Sequence, residues 1–359
     1  MRIEELRIRG LRCLTNVDIK LEDGINLFVG ANGAGKTSVL EAAFLLSHAR
    51  SFRSSAKEAL VQRDSTHVSV FAELIRLDGS KTRVGLGRAG SRWEARADDA
   101  QMTLGQLVGQ CAVVCFEPGS HALIAGPADE RRRYLDWGVF HVEHEFLLLW
   151  RRYQRAVKQR NSLLRTSQSP EDDLFAPWEI ELDMCATAID AYRKAYLAQL
   201  LPWLQTMAGE LLPELGHATL SYRRGWPPET NLLEELRSTR GRDFARGHTT
   251  VGCHRADWAL TYTHAPIKEH LSRGQEKLTA LACVMAQAHV FFESHGEWPV
   301  VCLDDLASEL DEQHQQAVVA YLENAHAQVL VTGTEPPKAL LAAPKAMFHV
   351  EQGEITRLL

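Results

Sequence analysis

Apolar residues near the start of the chain come at the spacing of strands. Ile3, Leu6 and Ile8 precede Gly10, and Ile25-Asn-Leu-Phe-Val29 is a short apolar run ended by Gly30. Beyond a glycine-rich stretch, Val39, Leu40, Ala43 and Leu46 fall at helical spacing, so the predicted order is strand, glycine loop, helix. Between 66 and 96, Val68-Ser-Val-Phe-Ala-Glu-Leu-Ile-Arg76 and Thr82-Arg-Val-Gly-Leu-Gly87 predict antiparallel strands that turn at Asp78-Gly79.

The period then changes. Leu135, Val139, Val142, Phe146, Leu149, Tyr153 and Val157 share one helical face, and a polar break follows at 166–177 with the acidic run Glu171, Asp172 and Asp173. A second helical run holds Ile180, Met184, Ile189, Tyr192, Tyr196 and Leu200, up to Pro202. From about 250 strand character returns in Trp258-Ala-Leu-Thr-Tyr262, then in Val300-Val-Cys-Leu303 and Gln328-Val-Leu-Val331, which read as buried parallel strands. The pattern therefore predicts an α/β fold: a head of mixed sheet formed by 1–126 and 248–359, interrupted by a mainly helical insert at 127–247.

Composition changes this picture little. A hydrophobic share of 45% and a charged share of 24% are those of an ordinary globular protein. The net charge of -6 means that any nucleic-acid surface must be a local basic patch. Seven scattered cysteines fit reduced thiols, with neither zinc nor disulfides expected. The charged N-terminus and the lack of a run of about 18 apolar residues predict a cytoplasmic protein without a membrane partner.

The chemistry starts in the glycine loop. Gly30-Ala31-Asn32-Gly33-Ala34-Gly35-Lys36-Thr37 has the spacing of a phosphate cradle, in which glycines let backbone amides turn inward and the next helix presents its positive end. With Ser38 these are the candidate nucleotide-binding residues: Lys36 reaches the outer phosphates of ATP, and the Thr37 hydroxyl is offered to Mg²⁺. At the end of an apolar strand, Asp304 is the second candidate Mg²⁺ ligand. Asp305 beside it either orients the attacking water, with Lys36 as the other catalytic candidate, or caps the following helix.

Leu271-Ser272-Arg-Gly274-Gln275 opens a further apolar-faced helix, with Ser272 placed as its cap. This segment, then Asp304-Asp305, then Ser308-Glu-Leu-Asp311, resembles the ordered signature, magnesium-binding and D-loop series of ABC-type ATPases. The resemblance implies that Ser272, Gly274 and Gln275 contact ATP held by a second subunit, so that ATP joins two heads, with Asp311 in the D-loop. The long interval between Lys36 and Ser272, filled by a helical insert, is similar to the SMC-related branch. Within it the chain resembles the RecF family at Leu40-Glu41-Ala42, Ser51-Phe52-Arg53, Gly126-Pro-Ala-Asp-Glu-Arg131-Arg-Arg-Tyr-Leu-Asp136, Gln159-Arg160-Asn161, and His254-Arg255 with Asp257. It departs from the family where Cys253 and Ala256 replace a proline and an aspartate.

That resemblance implies an ATP-induced homodimer that closes on double-stranded DNA at a gap or junction and is released by slow, weak, DNA-dependent ATP hydrolysis. It also implies a RecR-type mediator as partner, with RecO and RecA downstream. Thr332, after the strand at 328–331, is either a γ-phosphate sensor or a plain strand-to-turn residue. Basic residues that could neutralise phosphates are Arg50, Arg53, Arg131, Arg132, Arg151 and Arg152, with further arginines up to Arg160 and from Arg237 to Arg246; each is equally a candidate for a salt bridge or a solvated face. A transport ATPase and a P-loop kinase are the alternative functional classes.

Overall fold

The computed structural model describes residues 1–54, 57–62, 65–89, 92–167, 169, 173–340 and 344–359, so Glu171 and Asp172 of the acidic run lie outside the described residues. Along the chain, β1 (Arg2–Leu11), β2 (Leu14–Lys20) and β3 (Ile25–Val29) lead into α1 (Lys36–His48). There follow β4 (His67–Ile75), β5 (Lys81–Ala89), β6 (Arg92–Ala97), β7 (Ala100–Met102), α2 (Leu104–Gln110) and β8 (Val113–Phe116). The helical stretch holds α3 (Ala122–Ala125), α4 (Ala128–Val142), α5 (Phe146–Thr166) and α6 (Ala176–Leu211), then β9 (Ala218–Arg223), α7 (Leu232–Arg246) and β10 (Asp257–Tyr262). The chain ends with α8 (Arg273–His295), β11 (Val300–Leu303), α9 (Leu306–Glu309), α10 (Glu312–Asn324), β12 (Val329–Gly333), β13 (Ala346–Glu351) and β14 (Glu354–Arg357).

Two units divide these elements: Met1–His121 with Glu210–Leu212 and Ser272–Leu359, and Ala122–Gly209 with Pro213–Leu271. The first unit has an antiparallel sheet of order β2-β1-β4-β5-β6-β7 and a mainly parallel sheet of order β14-β13-β3-β12-β11-β8. Its strands differ as their surroundings require. β4 alternates buried and more open positions, whereas β3, β11 and β12 are buried at every residue. The core joins the inward residues of β1 and β4 to Val39, Leu40, Ala43 and Leu46 of α1, as the apolar spacing predicts.

The second unit corrects four sequence expectations. Residues 248–271, expected in the head, belong to it because β10 pairs antiparallel with β9. The helical run from Leu135 to Val157 is two helices, since polar Glu143-His144-Glu145 interrupts it and the Phe146 amide turns back to the Glu143 carbonyl at 3.1 Å. The third concerns α6, which does not stop at Pro202 but continues for nine residues. Burial of Leu204, Met207, Ala208 and Leu211 beyond the proline outweighs the hydrogen bond it removes. The expected face of α6 is buried at Ile189, Tyr196 and Leu200, but in its first turns Ile180 and Met184 are exposed and Leu182 and Cys185 are buried instead.

Arg160 explains the Gln159-Arg160-Asn161 triplet. Fully buried, it donates to Glu179 at 3.1 Å, Asp243 at 2.8 Å, Thr249 at 3.0 Å and the Leu236 carbonyl at 3.2 Å, while Asn161 accepts from the Thr249 amide at 2.7 Å. Removing the guanidinium strands buried carboxylates, and breaking such a pair costs about 3–5 kcal/mol. Arg160→Met is therefore expected to lower the urea midpoint of unfolding of the second unit sharply; an unchanged midpoint in a chemical-denaturation titration would show the network to be energetically idle.

Candidate functional site

The parallel strands β3, β12, β11 and β8 end side by side, with Val29 level with Gly333 and Leu303 level with Phe116. The chain leaves β3 at Gly30, where a Cβ would come within 2.1 Å of the Val350 carbonyl oxygen, so only glycine fits. At Gly35, with φ 119°, a Cβ would also press on Leu14 and Cys13. Helix α1 then begins at Lys36 without a side-chain cap bond and without an acid in its first turn. Its first amides and the positive end of its dipole are thus suited to an anion, with no competing carboxylate on the same turn.

Lys36 is buried, and its ammonium donates to the carbonyls of Gly30 at 2.8 Å and Ala31 at 3.0 Å. Burial holds its pKa below the usual lysine value, against the opposing pull of Asp305 and Asp304. One oxygen of Asp304 accepts from the Thr37 hydroxyl at 2.9 Å and from the Thr332 hydroxyl at 2.7 Å. Burial pushes the Asp304 carboxyl above its ordinary range, and the two hydroxyl donors oppose that shift. A hydroxyl and a carboxylate as neighbouring hard oxygen donors, too few to enclose an ion, fit Mg²⁺ that takes its remaining ligands from phosphate and water.

Thr332 is more than a strand-to-turn residue. Its hydroxyl, fully buried, donates to Asp304 and accepts from the Asp305 amide at 2.8 Å, joining β12 to the end of β11. Asp305 stands at the cap position of α9 but makes no side-chain cap bond, so the capping alternative is not realised; its backbone is left-handed at φ 54°. A non-glycine residue held there stores strain of about 1–2 kcal/mol, a feature concentrated at functional positions.

Ser272 caps α8 in a reciprocal box: its hydroxyl accepts from the Gln275 amide at 3.3 Å, and the Gln275 side chain accepts from the Ser272 amide at 3.0 Å. Ser272 and Gly274 are exposed and Gln275 half-buried. Asp311 caps α10, accepting from the His314 amide at 3.0 Å. Between them, Lys277 of α8 lies 2.7 Å from Glu309 of α9.

Spacing alone could not reveal the buried carboxylate of Glu41 behind the loop. It accepts from Arg12 at 3.0 and 2.8 Å and from the Ser51 hydroxyl, with the Arg53 guanidinium 4.0 Å away. The two family triplets around Glu41 and Ser51 thus meet in one cluster that pins the β1–β2 turn to α1. Arg12 was missed because its partner lies 29 positions away; its only local signal is the turn itself, where it adopts φ 57°.

The basic candidates divide by burial. Arg131 is removed from the DNA set: it is buried, paired with Asp257 at 2.7 Å and donating to the Gly126 carbonyl at 2.9 Å. Arg132 donates to the Ala256 carbonyl at 2.7 Å and pairs with Asp129, and Arg152 pairs with Glu181 at 2.7 Å while staying exposed. Arg50, Arg53 and Arg151 are exposed. His254 is structural, 2.7 Å from the Tyr153 hydroxyl, with burial lowering its pKa to about 4. The departures Cys253 and Ala256 are both buried, where their small side chains fill core space and their carbonyls accept from Arg193 and Arg132. No helix among the described residues is long and apolar enough to cross a membrane.

Comparison with known proteins bears on the family and the fold. The family model described as the RecF/RecN/SMC N terminal domain matches residues 2–356. The chain is similar to the DNA replication and repair protein RecF of Xanthomonas axonopodis pv. citri, 45% identical over 99% of both chains. It is 38% identical to RecF of Pseudomonas aeruginosa (strain LESB58), over 99% of this chain and 98% of the other. A solved structure of the recombination mediator protein RecF with ATP in the RecFOR pathway superposes with a TM-score of 0.90 at 24% identity, covering 99% of this chain and 97% of that one.

Proposed function

The chain belongs to the RecF family of DNA replication and repair proteins, with an ABC-type ATPase fold, and from that premise we propose that it is a clamp switched by ATP. ATP and Mg²⁺ bind at Gly30–Ser38 with Asp304, and a second copy supplies Ser272 to the outer phosphate. The homodimer closes on duplex DNA at a gap or single-strand junction, and slow hydrolysis opens it. A RecR-type mediator is the direct partner, with RecO and RecA acting downstream.

The observation that carries this reading is the hydroxyl–carboxylate cluster of Thr37, Asp304 and Thr332 set beside the phosphate loop. Thr37 and Asp304 would hold Mg²⁺, which would supply positive charge against the outer phosphates. The chain's own groups do the rest: Lys36 holds the phosphate to be cleaved, Asp305 orients water, and Thr332 keeps both acids in place. Ser272 and the first amides of α8 offer the second copy's nucleotide a helix N-terminus, the arrangement that suits a phosphate. ATP then shifts the monomer–dimer equilibrium by its differential affinity for the two states.

A gel-shift titration with gapped duplex tests the proposal. A complex that forms with ATP and Mg²⁺, fails with ADP, and weakens steeply between 50 and 200 mM salt is expected, by about 10³-fold for six phosphate contacts. Equal binding with ADP, or no binding with ATP at low salt, would overturn it.

A further inference from the structure

His314 is held at both ring nitrogens. Nδ1 lies 2.6 Å from Oδ2 of Asp311, and Nε2 lies 3.0 Å from the carbonyl oxygen of Leu211. Leu211 ends α6, and its carbonyl is one of the terminal acceptors that a helix cannot satisfy from within. Here it is met by a side chain 103 positions later.

We propose that His314 is a positioning residue that couples the end of α6 to the magnesium side of the nucleotide site. This rests on the reading of Asp304 and Asp311 as parts of that site. Leu211 lies in Glu210–Leu212, which is counted with the first unit, so the last turn of α6 and the ring belong to the same unit. From the ring the connection is continuous within the first unit. Asp311 closes the segment that starts at Asp305; Gln315 holds the Leu310 carbonyl at 2.7 Å, and Lys277 holds Glu309 at 2.7 Å. At the other end, Thr332 bonds both the Asp305 amide and the Asp304 carboxylate. A shift of the last turn of α6 moves the ring, and the segment 305–311 has polar anchors at both ends through which the shift reaches the magnesium acid. The same path runs in reverse when ATP orders Asp304.

The test uses the full chain and three variants. His314→Asn keeps a donor near the Nδ1 position, His314→Gln keeps one near Nε2, and His314→Ala keeps neither. Amide hydrogen exchange is followed in residues 205–212 with and without ATP and Mg²⁺, alongside nucleotide affinity and the ratio of DNA-stimulated to basal ATPase. In the parent chain ATP is expected to slow exchange at the end of α6 by about fivefold or more, the lower range of site-to-site coupling. All three variants are expected to bind ATP within about twofold of the parent, to lose that protection, and to lose most of the DNA stimulation at unchanged basal rate. A merely structural role would shift stability but leave the protection and the stimulation ratio as they are. Parent-like protection in His314→Ala, or no ATP effect on residues 205–212 of a parent chain that does bind ATP, overturns the coupling. A parent chain that binds no ATP overturns the nucleotide reading itself.

Discussion

Lys36→Arg is expected to leave nucleotide binding weakened by no more than about tenfold while slowing hydrolysis about 10²–10³-fold, the loss that follows from misplacing one charge-stabilising donor in a transition state. The charge survives the substitution, so the loop still attracts phosphate. The geometry does not survive. The lysine is buried and ends on two backbone carbonyls 2.8 and 3.0 Å away, in a loop whose first glycine has no room for a Cβ beside the Val350 carbonyl. A guanidinium is planar, wider and spreads its donors in a fork, whereas the ammonium is a compact point charge that can rotate toward a phosphate oxygen. Arginine can enter that space only by displacing the loop or by pointing out of it. In either case its charge lies away from the oxygens that gain charge during transfer. Phosphate release measured at saturating ATP, with nucleotide affinity measured separately, checks this, and a variant hydrolysing at the parent rate would remove Lys36 from the catalytic set.

The features legible in the sequence were those written locally. The glycine spacing of the loop, the apolar run before it, and the Ser272–Gln275 cap each lie within a few residues, and each is found in the fold. The parallel strands at 300–303 and 329–333 were legible because they are buried on both sides and so lack alternation. What stayed hidden depended on partners far along the chain. Arg131 and Arg160 read as basic surface because nothing nearby announces Asp257, 126 positions on, or Asp243, 83 positions on. Their burial reverses their meaning, from phosphate contacts to internal ion pairs. Thr332 is ambiguous in the sequence because its two partners, Asp304 and Asp305, are 28 and 27 positions back. Pro202 was read as a stop because local propensity argues so, yet four buried apolar residues beyond it keep the helix going.

Ser272→Arg is expected to abolish ATP-driven dimerisation while leaving each chain able to bind ATP. Among the described residues Ser272 has a capping role, through a bond of 3.3 Å from the Gln275 amide, so its loss costs about 1 kcal/mol of helix stability. The expected effect on assembly is far larger. An exposed hydroxyl at a helix N-terminus gives way to a long cation at the positive end of the dipole, occupying the space where the second copy's phosphate would sit. In sedimentation velocity the parent chain should move from monomer to dimer on adding ATP and Mg²⁺, and the variant should remain monomeric. Mixing then separates a shared site from a self-contained one. A Ser272→Arg chain has an intact phosphate loop and a Lys36→Arg chain has an intact Ser272, so a mixed dimer contains one whole composite site. The Ser272→Arg chain does not pair with itself, so working sites arise only in mixed dimers, each with one working site of two, and an equimolar mixture should exceed both separate variants while reaching at most about half of the parent rate. Activity no greater than the sum of the two separate variants would place Ser272 on its own chain's nucleotide and end the composite-site model.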